Sequence, residues 1–99
     1  MEYQLRQFRI RAGNMDAFLD AWLRGVYPLR RKFGFTFTGA WVVEGADEFV
    51  WVIGYDGRDG FAAAERRYYE SVERKGMSPD PAQYIDAPNS QMMRSVLPD

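Results

Sequence analysis

The chain has 99 residues, and its 13 basic and 14 acidic side chains leave a net charge of −1. A chain of this length has room for a single core, so we expect one domain over residues 1–99. The balanced charge lacks the basic excess that binding to a phosphate backbone requires, which predicts that nucleic acid is not a partner.

The sequence contains no histidine and no cysteine. These absences exclude Ser-His-Asp and Cys-His catalysis, zinc–thiolate centres and histidine-ligated haem. A bound metal would have to be a hard ion held by oxygen ligands, and we expect no cofactor. The apolar runs are too short to span a membrane and no apolar targeting segment is visible, which together favour a cytoplasmic protein.

The first predicted elements are a strand over residues 3–10, rich in β-forming side chains, and a long helix with Asn14 as its expected N-cap. Pro28 has no amide hydrogen to donate to Arg24, so we expect a kink there, eased by the nearby Gly25. The helix is predicted from apolar residues that recur at spacings of three and four, namely Met15, Phe18, Leu19, Trp22, Leu23, Val26, Leu29 and Phe33.

A basic triplet, Arg30-Arg31-Lys32, closes this helix just before Gly34. Glycine readily adopts the backbone conformation that follows a helix end, and cations in the last turn complement the helix dipole. We therefore interpret the triplet as a helix terminus, with a contact to a phosphate or another anionic partner as the alternative.

Two strands are predicted over residues 35–44 and 48–56, joined by a three-residue loop at 45–47. This loop length places Trp41 opposite Trp51. Residues between the aromatic positions are also apolar, so we expect both faces of the hairpin to be apolar. The expected aromatic face contains Phe37, Trp41, Val43, Phe49, Trp51, Ile53 and Tyr55.

A second helix is predicted over residues 61–75, with Asp56 and Asp59 as capping residues ahead of it. Residues 76–90 are predicted to form a loop, and residues 91–97 a last strand. The resulting order β-α-β-β-α-β is that of the α+β ferredoxin-like sandwich, a four-stranded antiparallel sheet with two helices on one face. Because the other face is also apolar, we expect a homodimer in which two sheets pack together and enclose a barrel.

Five residues are candidates for a binding site inside that barrel. Arg6 and Arg94 lie in predicted strands, where each could hold an anion or a carbonyl group, or could form a structural ion pair or lie at a wet sheet edge. Trp41, Trp51 and Tyr55 could line a pocket for a flat apolar ligand, or pack in the dimer interface.

Short motifs follow one another between residues 3 and 61: Tyr3-x-Leu5-Arg6, Pro28-Leu29, Gly34-Phe35, Gly39-x-Trp41 and Phe49-Val50-Trp51. Together they resemble the NIPSNAP-like family of dimeric α+β barrel proteins. The resemblance implies the ferredoxin-like fold and the dimer, and it implies no settled activity. Relatives are expected to carry a histidine just before the Gly-Phe pair, where this chain has Phe33, which argues against imidazole chemistry.

Three functions remain open from the sequence. The preferred one is the binding of a small apolar or aromatic ligand inside the homodimeric barrel. The enzymatic alternative, suggested by the wider barrel superfamily, is a cofactor-free monooxygenase or isomerase that acts on an aromatic or polyketide-like substrate. The third is a protein-interaction scaffold whose barrel is filled by side chains.

Overall fold

The computed structural model describes residues 1–98, and over this range four strands form one antiparallel sheet in the order β2-β3-β1-β4. This strand order, with helices between β1 and β2 and between β3 and β4, is the α+β ferredoxin-like fold. The strands are β1 (Glu2–Ile10), β2 (Thr36–Val43), β3 (Glu48–Tyr55) and β4 (Ile85–Met93).

Helices cover one face of the sheet, and the core lies between the two layers. Alternate residues of β1 and β3 point into it and meet the apolar side of the helices, as shown by Phe8, Phe18, Trp22 and Trp51. The helical elements are α1 (Met15–Ala21), a π segment (Trp22–Val26), α2 (Tyr27–Lys32), α3 (Phe61–Glu70), α4 (Val72–Lys75) and a 3₁₀ turn (Pro81–Tyr84).

The first helical region has the predicted extent, and its expected break takes the form of a π turn. The amide of Tyr27 donates to the carbonyl of Trp22, five residues earlier. Pro28 stands in the first turn of α2, where it lacks the hydrogen that would bond to Arg24. Asn14 is at the N-cap position, although its side chain makes no capping hydrogen bond.

The helix end at the basic triplet is confirmed, but its three cations lie in different environments. Gly34 has the expected left-handed backbone, with a φ of 92°. Arg31 and Lys32 are exposed, and Lys32 donates to a carboxylate oxygen of Glu73 at 2.9 Å, which holds the pKa of Glu73 below its ordinary value. Arg30 is only 1% exposed, so it is a core residue rather than a surface charge.

The predicted register of the hairpin is wrong by one residue. Val43 pairs with Glu48, so the loop has four residues, and Trp41 lies opposite Val50. The loop contains a tight turn, in which the amide of Ala46 bonds back to Val43. The shift turns Trp41 to the other face of the sheet, whereas a second register change between Phe37 and Gly39 leaves Phe37 packed against the core. Trp41 is therefore on the open face of the sheet and 52% exposed.

The last strand is β4, which begins at Ile85 rather than at residue 91 and ends at Met93. The predicted loop over residues 76–90 therefore ends too late. Pro88 lies within β4, opposite Phe8, which is compatible with a strand because β4 is at the edge of the sheet. Arg94 follows the strand instead of lying in it, and it is exposed.

The second helix begins as predicted, but not through the predicted caps. The amide of Phe61 donates at 2.7 Å to the carboxylate of Glu2, from β1, and the N-cap position is Gly60. The helix is also interrupted at Ser71, whose extended backbone separates α3 from α4 and whose hydroxyl caps α4. Asp59 instead bonds to side chains, as described below.

The open face of the sheet is apolar, as expected, although Trp41 was expected on the other face. Leu5 and Val52 pair near its centre, and Val50 lies beside them; all three are partly exposed. Trp41 and Met93 extend this surface towards the two edges. In the part of the chain that the structure describes, no helix is long and apolar enough to cross a membrane.

Candidate functional site

A cavity of about 230 Å³ lies between the sheet and the helices. Its apolar lining comes from both layers, because β1, β3 and the first helical region each contribute large side chains. Its polar lining consists of arginines and tyrosines. The principal lining residues are Phe8, Phe18, Trp22, Val26, Trp51 and Ile85, with Arg6, Arg30, Tyr68, Tyr69 and Arg74 as the polar ones.

Arg6 and Arg30, here called the arginine pair, share one carboxylate. Nη1 of Arg6 donates to Oε2 of Glu65 at 2.9 Å, and Nη1 of Arg30 donates to Oε1 of the same residue. Arg6 is 9% exposed and Arg30 is 1% exposed, so both charges are held in the core. Buried charges need such partners, because their desolvation is otherwise very costly.

Aromatic side chains complete the surroundings of the arginine pair. The hydroxyl oxygen of Tyr69 accepts from Nη2 of Arg6 at 3.1 Å and from Nη2 of Arg30 at 3.3 Å. The guanidinium carbon of Arg30 lies 3.9 Å from the ring centroid of Tyr68, and that of Arg6 lies 5.0 Å from the ring of Trp51. Cation–π contacts of this kind stabilise both guanidinium groups.

Five buried donors in the same region have no hydrogen-bond partner within residues 1–98. They are Nε of Arg6 and Arg30, the indole nitrogens of Trp22 and Trp51, and the hydroxyl of Tyr68. All five residues line the cavity. Burial raises the pKa of Tyr68, so its hydroxyl keeps its proton at neutral pH and can donate. Buried donors are normally paired, so a cluster of unpaired ones around a cavity needs an explanation.

The structure brings together only part of the predicted set of site residues. Arg6 and Trp51 both line the cavity, which lies between sheet and helices instead of between two sheets. Trp41 is on the opposite face of the sheet because of the register shift, so it is separated from the rest of the predicted aromatic face, of which Phe37, Phe49, Trp51, Ile53 and Tyr55 pack together in the core. Arg94 lies beyond β4, on the surface.

Tyr55, the remaining predicted site residue, joins β3 to α3. Its hydroxyl donates to Oδ1 of Asp59 at 2.8 Å and accepts from Nη2 of Arg67 at 3.0 Å. These contacts, first that of Tyr55 and then that of Arg67, hold the pKa of Asp59 below its ordinary value. The hydroxyl of Tyr55 is thus engaged in a surface hydrogen-bond network, and Tyr55 does not line the cavity.

Arg30, Glu65 and Tyr68 belong to the site although they were not predicted from the sequence. One signal was available for Arg30, since it continues the four-residue spacing of Phe18, Trp22 and Val26 on the buried side of the helix. No comparable pattern marked Glu65, which meets Arg6 across 59 positions of the chain. Within residues 1–98, no three acidic side chains lie close enough together to hold a metal ion.

The fold defines a class of protein, the ferredoxin-like α+β domains, and this one has a cavity between its sheet and its helices. The family model of the NIPSNAP family matches residues 3–97. The chain therefore belongs to the NIPSNAP family. It matches no curated protein.

Solved structures share the fold at low sequence identity. An uncharacterised NIPSNAP domain protein from Burkholderia xenovorans matches with a TM-score of 0.85 and 20% identity, covering 100% of both chains. A NIPSNAP family protein of unknown function from Agrobacterium tumefaciens matches with a TM-score of 0.83 and 18% identity, covering 94% of this chain and 86% of that one.

A third structure extends the likeness beyond the family. A putative antibiotic biosynthesis monooxygenase from Nitrosomonas europaea matches with a TM-score of 0.72 and 12% identity, over 98% of this chain and 100% of that one. At such identities the likeness concerns the fold, and function does not follow from fold alone.

Proposed function

We propose that the protein binds a small aromatic ligand in the cavity between the sheet and the helices. The main support for this proposal is that the cavity is lined by aromatic rings and by the buried arginine pair. Small-molecule sites have this composition, with mostly apolar walls and a few polar groups that fix the orientation of the ligand.

The volume of the cavity limits the size of the ligand. An engineered apolar cavity of about 150 Å³ binds benzene, and typical ligand pockets begin at roughly 300 Å³. A cavity of about 230 Å³ therefore suits one aromatic ring with a small substituent. The rings of Trp22 and Trp51, which meet edge to face at 5.3 Å, offer such a ligand stacking and edge contacts.

A homodimer joined through the open faces of two sheets is the second part of the proposal. Its support is the apolar surface of Leu5, Val50 and Val52, which the helices of the same chain do not cover. In such a dimer each chain keeps its own cavity, on the far side of its sheet from the partner. The cytoplasmic location expected from the sequence stays a prediction.

Three tryptophans make the binding proposal directly testable, because they report on different places. Trp22 and Trp51 line the cavity, whereas Trp41 lies on the open face of the sheet. In protein labelled with ¹⁵N, millimolar concentrations of benzoate, benzamide and benzamidine are titrated separately. We expect at least one compound to shift the indole N–H signals of Trp22 and Trp51 and to leave that of Trp41 in place.

A blocked cavity supplies the control. Val26 is buried in the cavity wall, and Val26→Phe should fill the space with a side chain of the protein. We expect this variant to fold and to show no shift with any compound. The proposal is wrong if none of the three compounds moves the two indole signals, or if Val26→Phe responds as strongly as the natural protein.

A further inference from the structure

We infer that the ligand of this cavity is an anion, a single aromatic ring that carries a carboxylate. This inference rests on the proposed function and adds the charge of the ligand to it. It is carried by two independent features of the cavity, the balance of buried charge and the identity of the unpaired polar atoms.

The charges at the cavity do not cancel. Arg74 is paired with Asp80 at 3.1 Å, so its charge has a partner. Arg6 and Arg30 together carry two positive charges, and the carboxylate that holds them, Glu65, carries one negative charge. Among residues 1–98, one positive charge is therefore left over beside the cavity, in a region where burial makes an uncompensated charge costly. A ligand with one negative charge would neutralise it.

The unpaired polar atoms of the cavity are all donors. Those of Arg6, Arg30, Trp22 and Trp51 are N–H groups that cannot accept a hydrogen bond, and the hydroxyl of Tyr68 keeps its proton. A ligand that satisfies several of them must offer acceptor atoms. A carboxylate offers two oxygens with about four acceptor positions and no donor. An amide offers one acceptor oxygen, and its N–H₂ group can only donate.

The aromatic part of the ligand follows from the remainder of the lining. Phe8, Phe18 and Val26 provide apolar surface, and the volume of about 230 Å³ leaves room for one ring beside the carboxylate. Benzoate is the smallest compound that combines both groups. It also has neutral and cationic counterparts of the same shape, benzamide and benzamidine, so the effect of charge can be separated from that of size.

The first experiment compares the three compounds on the natural protein, by calorimetry and by the indole signals of Trp22 and Trp51. We expect benzoate to bind at least about tenfold more tightly than benzamide, the ratio expected for a hydrogen bond that involves a charged group. Benzamidine carries a positive charge, which the arginine pair repels, and should bind most weakly.

The second experiment removes one unpaired donor. Tyr68→Phe deletes a hydroxyl that has no partner among the described residues, so the melting temperature should stay the same or rise. Benzoate affinity should fall about tenfold. Tyr55→Phe is the matched control, because its hydroxyl bonds to Asp59 and Arg67 away from the cavity, and it should leave benzoate affinity unchanged.

The outcomes distinguish the two proposals. If none of the three compounds binds, the proposed function itself fails. If benzamide or benzamidine binds as tightly as benzoate, an aromatic site exists and the inference about its charge is overturned. The inference is also overturned if Tyr68→Phe and Arg6→Met both bind benzoate as the natural protein does.

Discussion

Glu65 is the residue on which the polar part of the core depends. Its two carboxylate oxygens separately hold Arg6 and Arg30, both of which are buried. Breaking a buried ion pair by removal of one partner leaves the other charge without compensation, which costs far more than the pair gains in isolation. Loss of Glu65 affects two guanidinium groups, whereas loss of Arg6 affects neither Arg30 nor its bond to the carboxylate.

This asymmetry predicts different costs for two substitutions. Glu65→Gln should lower the free energy of unfolding by about 3–5 kcal/mol, because it leaves two buried cations without a counter-ion. Arg6→Met should lower it by about 1–2 kcal/mol, since methionine replaces the buried stem and Glu65 keeps Arg30. Urea denaturation at pH 7 measures both. Equal losses for the two variants, or a loss below about 1 kcal/mol for Glu65→Gln, would contradict the shared role of Glu65.

At the residue scale the sequence could predict that Arg6 needs a partner, but not which one. A charged side chain in the middle of an apolar strand indicates a buried pair or a ligand contact. Its partner is on α3, and no local pattern links positions so far apart in the chain. The burial of Arg30 could not be predicted because Arg30 belongs to a basic triplet at a helix end. The other two members, Arg31 and Lys32, are exposed there, as cations in a last helical turn usually are.

Among the elements, the π segment determines which side chains of the first helical region face the cavity. Phe18, Trp22, Val26 and Arg30 are buried at successive steps of four residues. In a regular α-helix each step of four overshoots a full turn by about 40°, so the series would rotate away from the sheet by about 120° over three steps. The wider π turn reduces this rotation, and it thereby keeps Arg30 on the same side as Trp22.

Gly25 in the π segment is the place to test how the helix packs. A β-carbon at Gly25 would lie 2.8 Å from the sulfur of Met77, so alanine needs Met77 to move. With Met77→Ala already present, Gly25→Ala should stabilise by about 0.5–1 kcal/mol, the usual preference of a helix for alanine over glycine. In the natural background the gain should be smaller or reversed. A double-mutant cycle by urea denaturation measures the difference, and identical effects in both backgrounds would exclude this contact.

The hairpin shows that the register between two strands is harder to predict than the position of each strand. Both strands were expected close to their observed positions, and the alternation of β3 correctly placed Phe49, Trp51 and Ile53 on one face. The loop between the strands has one residue more than expected, and this extra residue, with the register change between Phe37 and Gly39, places Trp41 on the open face. Loop length depends on a local turn, whereas the alternating pattern extends over the whole strand and is therefore the more reliable signal.

On the scale of the whole molecule, the order of elements was enough to predict the sandwich, because the helix and hairpin patterns leave few topologies open. The position of the cavity was not predictable, since it depends on side chains from β1, β3 and two helical regions that meet only in the folded chain. The extent of the edge strand β4 was the hardest to predict. An exposed edge strand that contains Pro88 needs no apolar alternation, so its sequence carries little strand signal.

The open face of the sheet leads to the last prediction, a dimer that one substitution can break. A stable monomer seldom exposes an apolar surface such as that formed by Leu5, Val50 and Val52. Light scattering at micromolar concentration should therefore give twice the chain mass of 11.5 kDa. Val52→Glu places a charge near the centre of this face, twice in a symmetric interface, and should give a folded species of 11.5 kDa.

Leu23→Glu is the control, because Leu23 is apolar and more exposed than Val52 but lies in the helical layer, away from the open face. It should leave the mass at twice that of the chain, which separates a specific interface from a general effect of added charge. Circular dichroism checks that both variants keep their fold. A natural protein that is monomeric and folded at micromolar concentration would refute the dimer. A dimer that Leu23→Glu breaks and Val52→Glu does not would place the interface on the helices.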